Sequence, residues 1–357
     1  MLNIQESVVH YPWGDALPAP GTTLELRPGV RWLRMALPFA LNHINLWLLR
    51  DRLDGTDGWT IIDCGIADDS TRAAWEHIFS HELQGLPVLR VICTHMHPDH
   101  VGLAHWLCDR WGTPQRECRL WMSSTDWHVA RIASQSTTGF GGDEAAQFFA
   151  LHGLTDPESL AQVRARSDYY SRLVPQVPAR FRRLMDGTQV DIGGQAWQCI
   201  AGYGHAPEHM ALHCPGLGVL ISGDMVLPRI STNVSVVEVE PEANPLRLFL
   251  DSIDRFLPLP EDTLVLPSHG LPFTGLHVRI KQLHQHHQER FADVMAACAQ
   301  QPCSAADLLP VLFKRTLDLH QTTFAMGESL AHLHALLYQG RLRAVPGSDG
   351  VRRFEIA

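Results

Sequence analysis

Thr94-His95-Met96-His97-Pro98-Asp99-His100-Val101-Gly102 is an H-x-H-x-D-H run that closes the apolar, strand-like stretch from Val88 to Thr94. Three imidazoles and a carboxylate within six residues make poor core material unless they are paired or hold a cation. The run therefore reads as half of a metal site. Its place at the end of a strand points to an α/β fold, in which a rigid sheet carries the loops that do chemistry.

Upstream, residues 30 to 50 and 58 to 65 carry strand-like runs, Asn45 to Leu49 and Trp59 to Asp63, separated by the turn-rich Asp54-Gly55-Thr56-Asp57-Gly58. That is a hairpin signature. A helix is predicted from Ser70 to His81 with Ser70 as its cap, then the Val88 strand, the His-rich run, a helix from Leu103 to Trp111 and a strand from Arg119 to Met122. Ser123 to Met185 lacks strand alternation, is rich in Ala, Gln, Arg and Ser, and is broken at Gly139 to Gly142 and Thr155-Asp156-Pro157. It reads as a helical insertion over the core, a substrate lid or a brace. Strands resume at Gln189 to Ile192, Trp197 to Ile200, Ala211 to His213, Gly218 to Ser222 and Thr263 to Pro267. Beyond about residue 276 come a long helix from Val278 to Gln300, a capped start at Ser304, a helix from Thr323 to Gln339, and two strands, Arg341 to Val345 and Val351 to Ile356, joined by a turn. Two helices followed by a strand pair suggest a winged-helix module. The reading is a catalytic domain over 1–275 and a linker helix with a small second domain over 276–357.

With 357 residues, 45% of them hydrophobic, the chain is long enough for a large core and a smaller second one. Met1 to Pro20 holds no Lys or Arg and no apolar run of signal-peptide length, and no stretch approaches the roughly 18 apolar residues of a membrane span. The expectation is a cytoplasmic protein with no membrane partner. Cys64, Cys93, Cys108, Cys118, Cys199, Cys214, Cys298 and Cys303 form no C-x-x-C pair and are expected as buried, reduced thiols. Lys and Arg number 29 against 38 Asp and Glu, a net charge of −9, which argues against a surface that binds nucleic acid throughout. Of the 21 histidines, His128, His152, His213, His277 and the 284 to 287 cluster read as solvated helix or loop positions.

Three further segments each place one His or Asp at the end of a strand: Gly202-Tyr203-Gly204-His205, Ser222-Gly223-Asp224 and Pro267-Ser268-His269-Gly270. With His95, His97, Asp99 and His100 they make seven nitrogen or oxygen donors, which suits two divalent ions such as zinc, manganese or iron and disfavours a thiolate site.

Asp63 after a strand, the H-x-H-x-D-H run, G-H, G-D and S-H-G, in that order over about residues 30 to 275, resemble the metallo-β-lactamase superfamily, and within it the glyoxalase-II-like branch with two metals. The resemblance implies an αββα sandwich. It implies that His95, His97 and His205 hold one metal, that Asp99, His100 and His269 hold the other, that Asp224 bridges them, and that Asp63 orients a ligand from behind. His209, four residues after His205, is a second candidate for such a supporting role, and Tyr203 and Arg229 are candidate substrate contacts. Gly204-His205-Ala206-Pro207-Glu208-His209, Ser222 to Pro228 and the C-terminal region are similar to a subgroup with a winged-helix tail, the β-lactamase-like-protein-2 type. The basic C-terminal residues with which glyoxalase II enzymes hold glutathione have no counterpart. His97 stands where oxygen-reducing di-iron members carry Glu, which favours hydrolysis.

Two ions, zinc first and manganese or iron as alternatives, would acidify a bridging water to hydroxide near pH 7 and polarise the scissile group, with Asp99 able to take the water's proton. Charge counting leaves such a centre near about +1, attractive to an anionic or polarised substrate. The expected activity is hydrolysis of a small-molecule thioester, ester or lactone. Cleavage of single-stranded RNA is the alternative, with Lys314, Arg315, Arg341, Arg343, Arg352 and Arg353 as its basic patch. A structural or dimerising tail, and hence a homodimer, is the other reading of those residues, and a DNA-binding regulator with a metal sensor is a third function.

Overall fold

The computed structural model describes residues 9–137 and 141–357. Residues 1–8 of the N-terminal stretch and the Gly139 break lie outside the described residues. In chain order the first half runs β1 (Leu24–Arg27), β2 (Val30–Ala36), β3 (His43–Leu53), β4 (Thr56–Ile62), α1 (Asp69–His81), β5 (Val88–Ile92), α2 (Pro98–Val101), α3 (Ala104–Trp111), β6 (Arg119–Ser123), α4 (Ser124–Ala133), α5 (Gly142–Leu151), α6 (Pro157–Arg164), α7 (Tyr169–Leu173) and β7 (Phe181–Leu184). The second half runs β8 (Gln189–Ile192), β9 (Gln195–Gly202), β10 (His209–Cys214), β11 (Val219–Gly223), α8 (Pro245–Ile253), β12 (Leu264–Pro267), α9 (Leu276–Gln300), α10 (Leu309–Leu312), α11 (Leu319–Tyr338), β13 (Leu342–Pro346) and β14 (Arg352–Ile356).

The seven strands β1 to β7 form one sheet in sequence order, antiparallel through β4 and parallel from β4 to β7. A second sheet has the order β12-β11-β10-β9-β8, with only β11 and β12 parallel. Side chains alternate across each strand, so Trp47 and Leu49 of β3 and Val219 and Ile221 of β11 meet in the layer between the sheets, where Trp32, Trp197, Met210 and Leu266 also lie. Leu46 and Leu48 point the other way, into a layer with Trp75, Ile78 and Leu107 of α1 and α3. Leu220 and Val265 face a third layer with Phe249, Ile280 and Leu330 of α8, α9 and α11. Two sheets between two helix layers are the αββα sandwich. The C-terminal helices and Phe354 of β14 share that third layer with the second sheet, so one continuous core joins them to it.

Several local expectations change. Asp68, not Ser70, caps α1: its side chain accepts from Thr71 N–H at 2.6 Å, and the Ser70 hydroxyl donates to the same carboxylate. The hairpin strands run through to a two-residue turn, Asp54-Gly55, whose positive φ values of 49° and 79° match the right-handed twist of the strands it joins. The helices of the insertion, α4 to α7, end at Leu173, and Phe181–Leu184 is a strand that adds to the sheet edge beside β6. Two arginines in four residues hide its alternation; both are exposed, and the Arg182 guanidinium lies 4.3 Å over the Trp121 ring. His152, His213 and His287 are buried, not solvated. The eight cysteines are free and buried, as their apolar contexts imply.

Candidate metal centre

β4, β5, β9, β11 and β12 all run towards one edge of the sandwich, and the chemistry-bearing loops leave from those ends. Two buried amides stitch the sheets together there. Asn45 of β3 donates through Nδ2 to the carbonyls of Pro267 and Gly270 at 2.8 and 2.9 Å and accepts from the Trp32 indole at 2.9 Å, and Met210 N–H donates to the Thr94 carbonyl at 2.7 Å. Asn45 thereby sets the His269 loop against the first sheet.

The H-x-H-x-D-H run does not stay extended. Pro98 sits at the first turn of α2, a position that needs no N–H, and the turn brings Asp99 and His100 round to a different side from His95 and His97. The donors therefore fall into two sets, one of His95, His97, His205 and Asp224 and one of Asp99, His100 and His269; within each set the donor atoms lie within 4.8 Å of one another.

In the first set His95 Nε2, His97 Nδ1 and His205 Nε2 stand 2.9, 3.1 and 3.2 Å apart, and Asp224 Oδ2 is 3.3 Å from His205 Nε2. A tetrahedron with metal–nitrogen distances near 2.0–2.1 Å has edges of about 3.3 Å, so the spacing fits a single small cation. In the second set His269 Nε2 is 3.4 Å from Asp99 Oδ2 and 3.5 Å from Asp224 Oδ1, while His100 Nε2 is 3.7 Å from each of those oxygens. Asp224 thus turns one carboxylate oxygen to each set. His100 Nε2 and Asp224 Oδ1 are buried and have no hydrogen-bond partner, a costly arrangement that a cation between them would relieve. The residues present fit a pair of divalent ions.

Four of the five imidazoles, those of His95, His100, His205 and His269, are turned by a partner on the other nitrogen, the support that metal-binding histidines need. His100 Nδ1 lies 2.9 Å from Asp63 Oδ2, His205 Nδ1 2.8 Å from the Asn233 carbonyl and His269 Nδ1 2.8 Å from the His43 carbonyl. Asp63 also accepts from Thr94 N–H at 2.7 Å and from the Thr94 hydroxyl at 2.9 Å, and the His95 Nδ1 is 3.0 Å from that hydroxyl oxygen. Asp63 adopts φ 62°, a left-handed conformation that costs a non-glycine residue energy and that Asp tolerates better than most. His209 is buried behind the first set, its ring 5.0 Å from that of His95 and its Nε2 accepting from Asp224 N–H at 3.3 Å. It supports the bend at Gly223, where φ is 53° and a Cβ would come within 2.1 Å of His209 Nε2.

Electrostatics separate the sets. Burial, reinforced by the other imidazoles, holds His97 down to about 3 and His95 well below its ordinary range, so both are neutral donors. Burial would also lower His269, but Asp224 and Asp99 more than offset it and hold it up to about 10. His100 is raised in the same way, against burial, by Asp63, Asp99 and Asp224. Burial would raise Asp99, and His100 and His269 outweigh it and bring it down to about 2.

One residue escaped sequence reasoning entirely. Asp126 is buried and accepts from Met96 N–H at 2.8 Å and from Glu208 N–H at 2.6 Å, so a single carboxylate ties the His95–His97 loop to the His205 loop. Burial pushes its pKa up to about 6 despite those donors. Its sequence signal is only the helix start Ser123-Ser124-Thr125-Asp126. Tyr203 stands beside the His205 loop with its ring partly exposed, and Arg229 is exposed on the loop after Asp224.

The superfamily model for metallo-beta-lactamases matches residues 41–269, well over half of the chain. This chain belongs to the metallo-β-lactamase superfamily. A second model, the metallo-beta-lactamase-like C-terminal domain, matches residues 291–357. The chain is 54% identical to a beta-lactamase domain protein from Burkholderia ambifaria, with 99% of this chain and 100% of that one covered at a TM-score of 0.94. A metallo-beta-lactamase family protein from Thermus thermophilus is 26% identical over 93% of this chain and 100% of that one, at a TM-score of 0.73. The probable metallo-hydrolase YqjP of Bacillus subtilis (strain 168) is 24% identical over 317 residues, 85% of this chain and 91% of that protein. Superfamily membership together with the converging His and Asp donors makes this a metal-dependent hydrolase.

Proposed function

We propose that the protein is a dinuclear metal-dependent hydrolase of small acyl substrates, a thioester first and an ester or lactone next. The observation that carries this reading is Asp224, whose two oxygens face the two donor sets. His95, His97 and His205 would hold one ion, Asp99, His100 and His269 the other, and Asp224 both; nitrogen and oxygen donors favour zinc, with manganese or iron as alternatives. When bound, such a pair supplies a water acidified from about 15.7 towards about 7 and a Lewis acid for the acyl oxygen.

The chain's own groups do the rest. Asp99, held ionised between His100 and His269, is placed to take the attacking water's proton. Asp63, Thr94, Asn233 and His43 keep the imidazoles turned inward, and Asp126 locks the two loops that carry the first set. Tyr203 and Arg229 flank the site as substrate contacts. Support for a small substrate over single-stranded RNA comes from the C-terminal hairpin: Arg343 pairs with Glu355 and Arg353 with Asp349, which neutralises two of the six basic residues of that patch. That hairpin and its two helices act as a packing tail with winged-helix-like order. Metal-loaded protein assayed on acyl-CoA, acyl-glutathione and lactone panels beside a single-stranded RNA tests the reading: turnover of an acyl substrate is expected, and RNA cleavage without acyl turnover overturns it.

A further inference from the structure

Three elements around the metal loops converge on one aromatic cluster. α7 packs on α2, which carries Asp99 and His100, and opens with Tyr169. The next residue, Tyr170, donates its hydroxyl to the Met96 carbonyl at 2.5 Å, inside the His-rich run. Phe39 lies in the β2–β3 loop that ends at His43, whose carbonyl holds His269 and whose Nε2 accepts from Gly270 N–H at 2.9 Å. His320 comes from the start of α11: its ring stacks 5.6 Å from Phe39 and stands 5.7 Å from Tyr169 and 4.9 Å from Phe324. The Tyr169 phenol is pushed up to about 12, first by burial and further by the nearby Asp99 carboxylate. The cluster therefore borders the second donor set.

Arg166 runs through this cluster. Its guanidinium lies 4.7 Å over the Tyr169 ring, donates from Nη2 to His320 Nδ1 at 3.1 Å and from Nη1 to Thr323 Oγ1 at 3.1 Å. Both acceptors are neutral: a nitrogen that accepts from a guanidinium carries no proton of its own. Among the described residues no carboxylate comes within ion-pair distance of Arg166, although the side chain is half-buried; Asp318 acts on it only from farther away. A partly desolvated guanidinium without a contacting counter-ion is an unusual expense beside a catalytic centre, and a planar fork stacked on an aromatic ring is suited to an oxyanion.

We propose that Arg166 binds an anionic group, a carboxylate or a phosphate, at the far end of the substrate, whose chain lies against Phe39, Tyr169 and Phe324. The inference rests on the acyl-hydrolase reading and narrows its substrates to anionic acyl thioesters. Arg166 touches substrate away from the reacting bond, so it governs specificity.

The test uses the full-length, zinc-loaded protein with succinyl and butyryl thioesters of N-acetylcysteamine, which differ by a terminal carboxylate. Wild type should favour the succinyl substrate by about tenfold or more in kcat/KM, Arg166→Met should remove that preference with the butyryl rate changed less than about threefold, and Arg166→Lys should keep part of it. Equal loss on both substrates marks Arg166 as a brace between the insertion and α11 and overturns the proposal, as does a wild type with no preference. A calorimetric arm is independent of turnover. Glutarate and glutaramate each offer the metals one carboxylate, and only glutarate offers a second anion, so wild type should bind glutarate about tenfold tighter and Arg166→Met should bind both alike. If neither thioester is hydrolysed but this binding difference holds, the acyl reading fails and the anion site stands; if thioesters turn over without it, the reverse is true. 4-Phosphonobutyrate separates the sources: binding tighter than glutarate assigns a phosphate, weaker assigns a carboxylate.

Discussion

The two donor sets share Asp224 and lie side by side, yet they are built in opposite ways. In the first, His95 and His97 are kept neutral by burial and by neighbouring imidazoles, and Asp224 Oδ2 supplies the carboxylate oxygen. The second places His100 and His269 against Asp99, Asp224 and, through His100, Asp63, so its imidazoles favour protons and its carboxylates favour charge. Neutral donors take up a cation without a competing proton; charged-pair donors exchange a proton for it. The first set is therefore an open receptor and the second a proton-gated one, although both grow from the same nine-residue stretch, Thr94 to Gly102.

The harshest way to break this comparison is to remove what the sets share. Asp224→Ala should lose both ions and lower turnover by about a thousandfold or more, whereas His97→Ala should lose the first ion and leave the second bound; elemental analysis after dialysis counts them. Acidification sharpens the difference instead. His269 titrates at about 10, so below that pH an ion entering the second set must displace its proton, and affinity should fall about tenfold per pH unit for each proton displaced. Burial holds His97 down to about 3 and His95 well below its ordinary range, so neither should add such a slope to the first ion between pH 8 and pH 6. Calorimetry in buffers of different ionisation enthalpy reads the protons released, and equal slopes for both ions would contradict the contrast. Asp63→Asn should weaken the second ion about 10- to 100-fold, because an amide supports the His100 proton less well, with the first ion affected through Thr94 alone. The smallest effect belongs to Asp126→Asn. Its amide can accept from only one of the Met96 and Glu208 N–H groups, which should cost about 1–3 kcal/mol in chemical denaturation and lower kcat more than it raises KM.

Four of the candidate donors were legible as one local event, a His or Asp placed just after an apolar strand. His205 behind β9, Asp224 behind β11 and His269 behind β12 repeat what His95 does behind β5. The layered fold was legible for a related reason: strands buried on both faces, such as Val219–Gly223 and Leu264–Pro267, are continuous apolar runs. Asp63 and His209 apart, the supporting groups were not legible. Asn45 acts on carbonyls more than 220 residues away, Asn233 contributes only a backbone oxygen, and Asp126 reaches loops 30 and 82 residues distant, so none carries a local pattern. His152 and His287 read as solvated because a histidine on a helix gives no sign of which face is covered; here α5 and α9 turn those faces into the shared core layer. At α1 both Asp68 and Ser70 are good caps, and only the backbone decides: Asp68 alone is extended, with its carboxylate over Thr71 N–H.

The amino-acid sequence determined the layers, the seven candidate donors and their nitrogen-and-oxygen character, since residue type and local pattern are properties of the chain itself. Which nitrogen of each imidazole turns inward, which oxygen of Asp224 faces which set, and which set holds protons were decided by tertiary structure alone. Those outcomes depend on burial and on partners brought together from distant strands, and both exist only once the two sheets have closed on each other.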